Sequence, residues 1–293
     1  MGLGKNEDMS GAFPLTAGLY LVATPIGAAR DITLRALDVL RLADVIAAED
    51  TRTARKLMEI HGVPLNGRRI LAFHDHSTEG TTAHLVTQVR EGKSVAYVSE
   101  AGTPLVADPG YELARGMIAE DLPVTAAPGA SAVLTALTIG GLPTDRFLFN
   151  GFLPAAHSAR QSELAILRDV PATLVFYESP KRLGSSLVDM AAVLGAGRQA
   201  AVCRELTKKF EEVRRGTLAE LAEYYQENDA RGEVVVLVDR AGAVVTGAAD
   251  IESALREAMQ TMRIKDAATL VAGALNLPRR EVYQIALAMS ADD

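Results

Sequence analysis

The sequence predicts a mixed α/β protein made of two α/β domains and a small C-terminal helical segment. Short β-rich runs alternate with amphipathic helical runs from Gly18 onwards, which is typical of successive βαβ units. The string Gly140-Gly141-Leu142-Pro143 interrupts this alternation, and only helical patterns follow a later stretch rich in glycine and alanine. We therefore expect a disordered extension over residues 1–17, α/β domains over 18–141 and 142–240, and a helical tail over 241–293.

Five strands and five helices are expected in the first half. Leu34, Leu37 and Leu40 lie three residues apart, on one face of the first helix. Either Asp50 or Thr51 suits the N-cap of the second helix. We expect strands at 19–23, 45–48, 69–73, 94–99 and 123–127, and helices at 33–41, 52–61, 81–91, 111–120 and 130–140.

The second half and the tail continue these patterns. Residues 234–238 are four valines and a leucine, which predicts a strand buried on both faces. Residues 240–249 are expected to form a linker, and Pro278 suits the start of the last helix. We expect strands at 147–151, 174–177, 200–204, 210–215 and 234–238, and helices at 158–168, 182–194, 218–226, 251–262, 266–275 and 279–289.

Composition excludes several classes of protein. The 293 residues carry a net charge of −7, which argues against a protein that binds nucleic acid by overall charge but leaves room for a local basic patch. The single cysteine, Cys203, cannot form an internal disulfide, which fits a reducing compartment. The first 18 residues lack a signal-peptide pattern, and no apolar run is long enough to span a membrane. We expect a cytoplasmic protein.

Common nucleotide and metal motifs are absent from the sequence. The first strand is not followed by G-x-G-x-x-G, and there is no G-x-x-x-x-G-K-[ST], C-x-x-C or H-E-x-x-H. In His74-Asp75-His76 the two histidines share one face of a strand, but the same residues also suit a solvated strand end. We expect no metal site.

Five polar or glycine-rich segments follow predicted strand ends, where open α/β sheets bind ligands. Each one alone is equally typical of a turn, because glycine, proline, aspartate and threonine are turn residues. Together they predict one shared cleft, although their chemistry does not identify its ligand. The segments are 23–27, 49–52, 99–110, 128–132 and 205–208.

These segments and several others carry a family resemblance that covers about residues 18–238. The motifs that carry it are Leu19-Tyr20-Leu21-Val22-Ala23-Thr24-Pro25-Ile26-Gly27, Ala47-Ala48-Glu49-Asp50-Thr51-Arg52, His74-Asp75-His76, Val98-Ser99-Glu100-Ala101-Gly102-Thr103-Pro104, Asp108-Pro109-Gly110-Tyr111, Gly151-Phe152-Leu153-Pro154, Phe176-Tyr177-Glu178-Ser179 and Arg204-Glu205-Leu206-Thr207-Lys208. In these motifs the chain resembles the ribosomal RNA small-subunit methyltransferase I family, a branch of the tetrapyrrole methylases.

The resemblance implies an activity and a cofactor. It implies transfer of a methyl group from S-adenosylmethionine to the ribose 2′-hydroxyl of a cytidine in the decoding region of small-subunit ribosomal RNA. It also implies a homodimer and a cofactor cleft between the two domains. The family usually has Asp where this chain has Glu100, and Asn where it has Ala28. The residues that correspond to the cofactor-binding motif are Ile26, Glu100, Thr103, Ser131, Ala132, Tyr177, Leu206 and Glu233.

Methyl transfer to a hydroxyl requires alignment of the hydroxyl and removal of its proton. The candidate general bases are Glu49, Asp50, His74 and Glu205, and Lys208 is a candidate for binding a phosphate or stabilising an alkoxide. Capping and loop residues of the same types are also common without any catalytic role. The candidate RNA-binding residues are the basic groups Arg52, Arg55 and Lys56, then Lys208 and Lys209 with Arg214 and Arg215, and finally Arg279 and Arg280.

Two other functions remain open at this point. A tetrapyrrole methylase has the same fold and cofactor but acts on a flat macrocycle. A non-catalytic ribosome-assembly factor keeps the pocket and loses the chemistry, and Glu100 is the residue that favours it.

Overall fold

The strands form two five-stranded sheets, each with helices packed on its faces. The structure is a computed structural model that describes residues 14–74, 77–241, 248–275 and 277–291. The first sheet has the order β3-β2-β4-β1-β5 and is parallel throughout. In chain order its elements are β1 Gly18–Val22, α1 Leu34–Leu42, β2 Val45–Ala48, α2 Thr51–Ile60, β3 Ile70–Ala72, α3 Glu79–Arg90, β4 Ser94–Val98, α4 Tyr111–Ile118, β5 Val124–Ala127 and α5 Ala132–Gly140.

Both faces of the first sheet are covered, as its apolar strands require. Alternate residues of β4 face opposite sides, and all five are buried. Ala96 and Val98 pack towards α1 and α2, whereas Val95 and Tyr97 pack towards α3 and α4. This arrangement brings the carboxyl ends of all five parallel strands to one edge of the sheet, where the predicted loops emerge after β1, β2, β4 and β5.

The second sheet has the order β6-β7-β10-β8-β9 and is mixed. Its elements are β6 Phe147–Phe152, α6 His157–Leu167, β7 Thr173–Glu178, α7 Leu183–Leu194, β8 Gln199–Arg204, β9 Glu212–Thr217, α8 Leu218–Glu227 and β10 Val234–Val238. The expectation of successive βαβ units is confirmed for β6, β7 and β8, which run parallel with α6 and α7 between them in the chain. It is wrong for β9 and β10, because β9 is antiparallel to β8, and β10 lies between β7 and β8 and is antiparallel to both. The apolar β10 is buried on both faces and occupies the centre, whereas charged β9 forms an edge.

Helix α5 connects the two halves through packing. Its residues Val133, Ala136 and Leu137 share an apolar cluster with Val175 and Leu237 of the second sheet. The other face of that sheet is covered by α6, α7 and α8. The predicted domain boundary at 140–143 falls just after α5, and its position stays a prediction.

The tail contains α9 Ala248–Met259, α10 Ile264–Ala274 and α11 Arg279–Ala291, which enclose a separate apolar cluster. At the other end of the chain, residues 1–13 of the expected extension lie outside the described residues. Leu15 packs against the first sheet, and the Tyr20 hydroxyl donates to the Thr16 carbonyl at 3.0 Å, so the last part of that extension is held on the core. Within the described ranges, the helices are too short or too polar to cross a membrane.

Candidate functional site

A cavity of about 710 Å³ lies where the carboxyl ends of the first sheet face the second half of the chain. Its walls come from the loops after β1, β2, β4 and β5, from the ends of β6 and β7, from the loop after β8, and from the start of β10. Each of the five predicted segments therefore contributes to one cleft. The eight predicted cofactor-binding residues all line this cavity: Ile26, Glu100, Thr103, Ser131, Ala132, Tyr177, Leu206 and Glu233.

The loops after β1 and β8 meet at Gly27. A Cβ atom at this position would lie 2.6 Å from Thr207 Oγ1 and 2.9 Å from the Leu206 carbonyl oxygen, so only glycine fits without a shift. The neighbouring Ala28 amide donates to Thr207 Oγ1 at 3.0 Å. This contact uses the backbone of Ala28, so it does not depend on which side chain stands at that position.

Lys208 joins two carboxylates across the cavity wall. Its Nζ lies 3.0 Å from Glu205 Oε1 and 3.0 Å from Glu233 Oε2. Burial by itself lowers the pKa of Lys208, but its hydrogen bonds to these two carboxylates outweigh burial and raise the pKa above its usual value. Lys208 is therefore held in its protonated form, with its charge compensated by the two carboxylates.

The Glu205 carboxylate takes part in this network by accepting two hydrogen bonds. Its Oε1 accepts the Glu233 amide at 3.0 Å, and this hydrogen bond, followed by that from Lys208, lowers the pKa of Glu205. Gly232 adopts φ +79°, and any side chain there would collide with the Glu205 carboxylate. Glu205 is not one of the residues that line the cavity in the described part of the chain. A carboxylate with a lowered pKa and two donors suits a structural role better than proton removal.

Asp50 caps α2. Its carboxylate accepts the amides of Arg52 at 2.7 Å and Thr53 at 3.3 Å, and it pairs with the Arg52 guanidinium at 3.1 Å. The hydrogen bond from the Arg52 side chain is the main cause that lowers the pKa of Asp50. Asp50 lies beside the cavity and outside the lining that the described residues form. This geometry favours the orientation of Arg52 over a role as base.

Glu49 is the one predicted base, among four that the structure describes, that lines the cavity. Its Oε2 accepts the Glu100 amide at 3.0 Å, which connects the ends of β2 and β4. His74 is exposed at the end of β3, and its amide donates to Ser77 Oγ at 2.9 Å. Asp75 and His76, the rest of that motif, lie outside the described residues.

The Tyr177 ring contacts two phenylalanines, of which Phe152 lines the cavity with it. Its ring centroid lies 4.9 Å from that of Phe149 and 5.6 Å from that of Phe152. Burial, then the nearby charges of Asp108 and Glu233, raise the pKa of Tyr177 to about 12. Phe152 and Asp108 line the cavity but were not among the predicted site residues, although both belong to motifs on which the family resemblance depends.

The predicted RNA-binding residues are distributed over three places. Arg52, Arg55 and Lys56 are exposed on α2, Lys209 is exposed in the turn before β9, and Arg279 and Arg280 are exposed at the start of α11. The two other arginines of the second group have partners within the protein. Arg214 lies 3.5 Å from the centroid of the Tyr224 ring, and Arg215 donates to the Gly140 carbonyl at 2.9 Å at the end of α5.

Solved structures of low sequence identity have the same fold. The methyltransferase CobJ aligns with a TM-score of 0.58 at 19% identity, over 79% of this chain and 97% of its own. Uroporphyrin-III C-methyltransferase of Thermus thermophilus, in complex with S-adenosylhomocysteine, aligns with a TM-score of 0.53 at 19% identity, over 76% of this chain and 98% of its own.

Sequence comparison identifies the family. Residues 18–222 match the tetrapyrrole (corrin/porphyrin) methylases, and residues 245–290 match the RsmI C-terminal HTH domain. Ribosomal RNA small subunit methyltransferase I of Mesorhizobium japonicum is 46% identical over 93% of this chain and 92% of its own length. The protein of the same name from Escherichia coli O157:H7 is 40% identical over 92% of this chain and 94% of its own. The chain belongs to the ribosomal RNA small subunit methyltransferase I family, within the tetrapyrrole methylases.

Proposed function

We propose that this protein transfers a methyl group from S-adenosylmethionine to the ribose 2′-hydroxyl of a cytidine in the decoding region of small-subunit ribosomal RNA. Family membership supports the methyl transfer and the ribosomal RNA substrate. The observation that carries the proposal is the cavity between the two halves, which is lined by all eight residues that correspond to the cofactor-binding motif.

The cavity offers donor groups that suit S-adenosylmethionine, and its volume of about 710 Å³ lies in the usual range of small-molecule sites. Ser131 is the N-cap of α5 and makes no side-chain capping bond, so the amides of the first turn are available to a carboxylate such as that of the methionine part. Ile26, Leu206 and Tyr177 offer apolar surface for the rest of the molecule. When bound, the cofactor supplies a methyl group that its sulfonium makes electrophilic.

Glu49 is the base that the geometry favours. One oxygen of the Glu49 carboxylate accepts the Glu100 amide, and the carboxylate lines the cavity. With S-adenosylmethionine bound, the other Glu49 oxygen would accept the proton of the ribose 2′-hydroxyl while the hydroxyl oxygen takes the methyl group and S-adenosylhomocysteine leaves. A positioned base contributes about 10²–10⁴-fold in rate, and alignment of the hydroxyl contributes further. Lys208 lines the cavity, and an Nζ hydrogen that is not used by Glu205 or Glu233 would donate to the developing alkoxide or to an adjacent phosphate.

The RNA is held by local basic groups on an acidic protein. Arg52, Arg55 and Lys56 extend from α2 beside the cavity, and Lys209 follows Lys208 in the turn before β9. Arg279 and Arg280 begin α11, in the segment that matches the HTH domain. Each contact between one of these basic groups and a phosphate makes the affinity for RNA fall more steeply as the salt concentration rises. We also expect a homodimer that acts in the cytoplasm.

A methyl-transfer assay with two acceptors tests the proposal. Small ribosomal subunits that lack the modification and uroporphyrinogen are each incubated with the protein and methyl-labelled S-adenosylmethionine. We expect label in the ribosomal RNA and none in the uroporphyrinogen. Label only in uroporphyrinogen would indicate a tetrapyrrole methylase. Label in neither acceptor, from a protein that binds S-adenosylhomocysteine, would indicate a non-catalytic assembly factor.

A further inference from the structure

Phe152 is an exposed aromatic side chain at the mouth of the cavity. It lines the cavity, yet it is 57% exposed. Its ring meets that of Tyr177 edge to face, at 5.6 Å between centroids and an angle of 65°. Phe152 is the most exposed of the three rings in the series Phe149, Tyr177 and Phe152, so it forms the outer end of that series.

The backbone around Phe152 is held by two ion pairs. Arg160 donates to the carbonyls of the second and third residues after Phe152, at 3.4 Å and 3.1 Å. Its Nε also lies 2.6 Å from the buried Asp189 carboxylate. Arg182 donates to the carbonyl of the next residue after Phe152 at 3.4 Å and lies 2.7 Å from the buried Glu178 carboxylate. Phe152 is therefore presented by a fixed backbone, although its side chain is largely in solvent.

We propose that Phe152 stacks on the base of the nucleotide whose ribose is methylated. This inference rests on the proposed function, because it assigns a contact to the RNA substrate of the same cavity. A ribose that reaches Glu49 and Lys208 must bring its base out of the RNA stack, since a base-paired helix cannot enter a cavity of about 710 Å³. An unstacked base then needs a flat apolar surface, and proteins supply one with an aromatic side chain.

The adenine of S-adenosylmethionine is the other flat group that enters this cavity. Tyr177 is the predicted cofactor contact of the series and is the more enclosed of the two rings. The outward position of Phe152 favours the substrate base, which enters from solvent. If Phe152 contacts the substrate base, a change at Phe152 alters the affinity for the RNA substrate. If Phe152 contacts the adenine, the same change alters the affinity for the cofactor.

The test compares Phe152→Leu, which keeps apolar bulk without a ring face, with Phe152→Trp, which keeps the face. Phe147→Leu is the matched control, because Phe147 lies on the same strand, is 43% exposed and is outside the lining that the described residues form. For each protein we measure KM and kcat on small subunits that lack the modification. Calorimetry gives the affinity for S-adenosylhomocysteine, and sedimentation gives the oligomeric state.

We expect Phe152→Leu to raise KM for the subunits by about tenfold, the effect of losing one base–aromatic stack. We expect Phe152→Trp and Phe147→Leu to stay within about threefold of the wild type, with S-adenosylhomocysteine affinity and oligomeric state unchanged in all. An unchanged KM in Phe152→Leu overturns the proposal, as does a parallel loss of S-adenosylhomocysteine affinity or an altered oligomeric state. A wild-type protein that methylates no subunits removes the proposed function, and this inference with it.

Discussion

The Glu100 amide donates a hydrogen bond to the Glu49 carboxylate, with 3.0 Å between N and Oε2. This bond joins the ends of two neighbouring parallel strands at the cavity. It uses the backbone of Glu100, so it does not depend on the length of the Glu100 side chain. The assignment of Glu49 as the base depends on this geometry.

Glu49→Gln tests that assignment. Glutamine keeps the size and can still accept the Glu100 amide, but it cannot take a proton. We expect the rate of methyl transfer to fall by about 10²–10⁴-fold, with S-adenosylhomocysteine affinity unchanged. Single-turnover kinetics at saturating cofactor measure the step directly, and a wild-type rate would remove Glu49 from the mechanism.

Asp50→Asn separates orientation from proton transfer. Asparagine can still cap α2 but loses the charge that pairs with Arg52. We expect a smaller loss in the rate of methyl transfer than for Glu49→Gln, again with little change in cofactor affinity. A base leaves an acid limb in the pH–rate profile, and we expect this limb to persist in Asp50→Asn and to disappear in Glu49→Gln. The reverse result would make Asp50 the base.

Gly27→Ala tests the junction between the loops after β1 and β8. The added methyl would overlap Thr207 Oγ1 and the Leu206 carbonyl, so one loop must move away from the cofactor cavity. We expect affinity for S-adenosylhomocysteine to fall by about tenfold. Gly197→Ala is the control, because nothing lies within 4 Å of a Cβ there, and equal affinities in the two variants would contradict the account of this junction.

The Glu205–Lys208 pair predicts how stability depends on pH. The pKa of Glu205 is lowered from 4.5, so its contribution is present above that value and is lost as the pH falls through the lowered pKa. The pKa of Lys208 is raised from 10.5, so its contribution is present below that value and is lost as the pH rises through the raised pKa. In Lys208→Met we expect a lower free energy of unfolding at pH 7 and a smaller further loss on acidification, measured by urea unfolding. If Lys208→Met loses as much free energy of unfolding on acidification as the wild type does, the Glu205–Lys208 pair does not cause that loss.

Removal of the tail tests its part in RNA binding. The cut is best made after Ala241, because Arg240 pairs with Asp145 and belongs to the second half. We expect unchanged affinity for S-adenosylhomocysteine and a value of kcat/KM on subunits reduced by about tenfold or more. In the full chain, Arg279→Gln with Arg280→Gln should lower the slope of log affinity against log salt by about 2. Full activity of the truncated protein would make the tail a structural appendage.

The sequence predicts the strand-end loops well because local patterns determine them. Val45–Ala48 and Val234–Val238 have the expected bounds, and Asp50 caps α2 as one of two expected residues. The partners across the chain were not predictable in this way. The contact of Lys208 with Glu233 joins residues 25 apart, and the place of β10 between β7 and β8 depends on competition among strands for the buried centre of the sheet.

The site shows the same division between local and distant information. The motifs placed eight residues around one cavity, but they did not distinguish Glu49 from Asp50, which are adjacent in sequence. The distinction comes from Arg52, whose guanidinium pairs with Asp50, and from the Glu100 amide, which lies 51 residues from Glu49 along the chain.

The position of the transferred methyl group on the RNA distinguishes ribose methylation by Glu49 from every other outcome. Small subunits that lack the modification are treated with the wild-type protein or with Glu49→Gln, and the ribosomal RNA is digested to nucleosides and fragments for mass spectrometry. We expect a 2′-O-methylcytidine in a decoding-region fragment with the wild type, and a greatly slowed appearance of it with Glu49→Gln. A methyl group on a base, or on RNA outside the decoding region, would contradict this expectation.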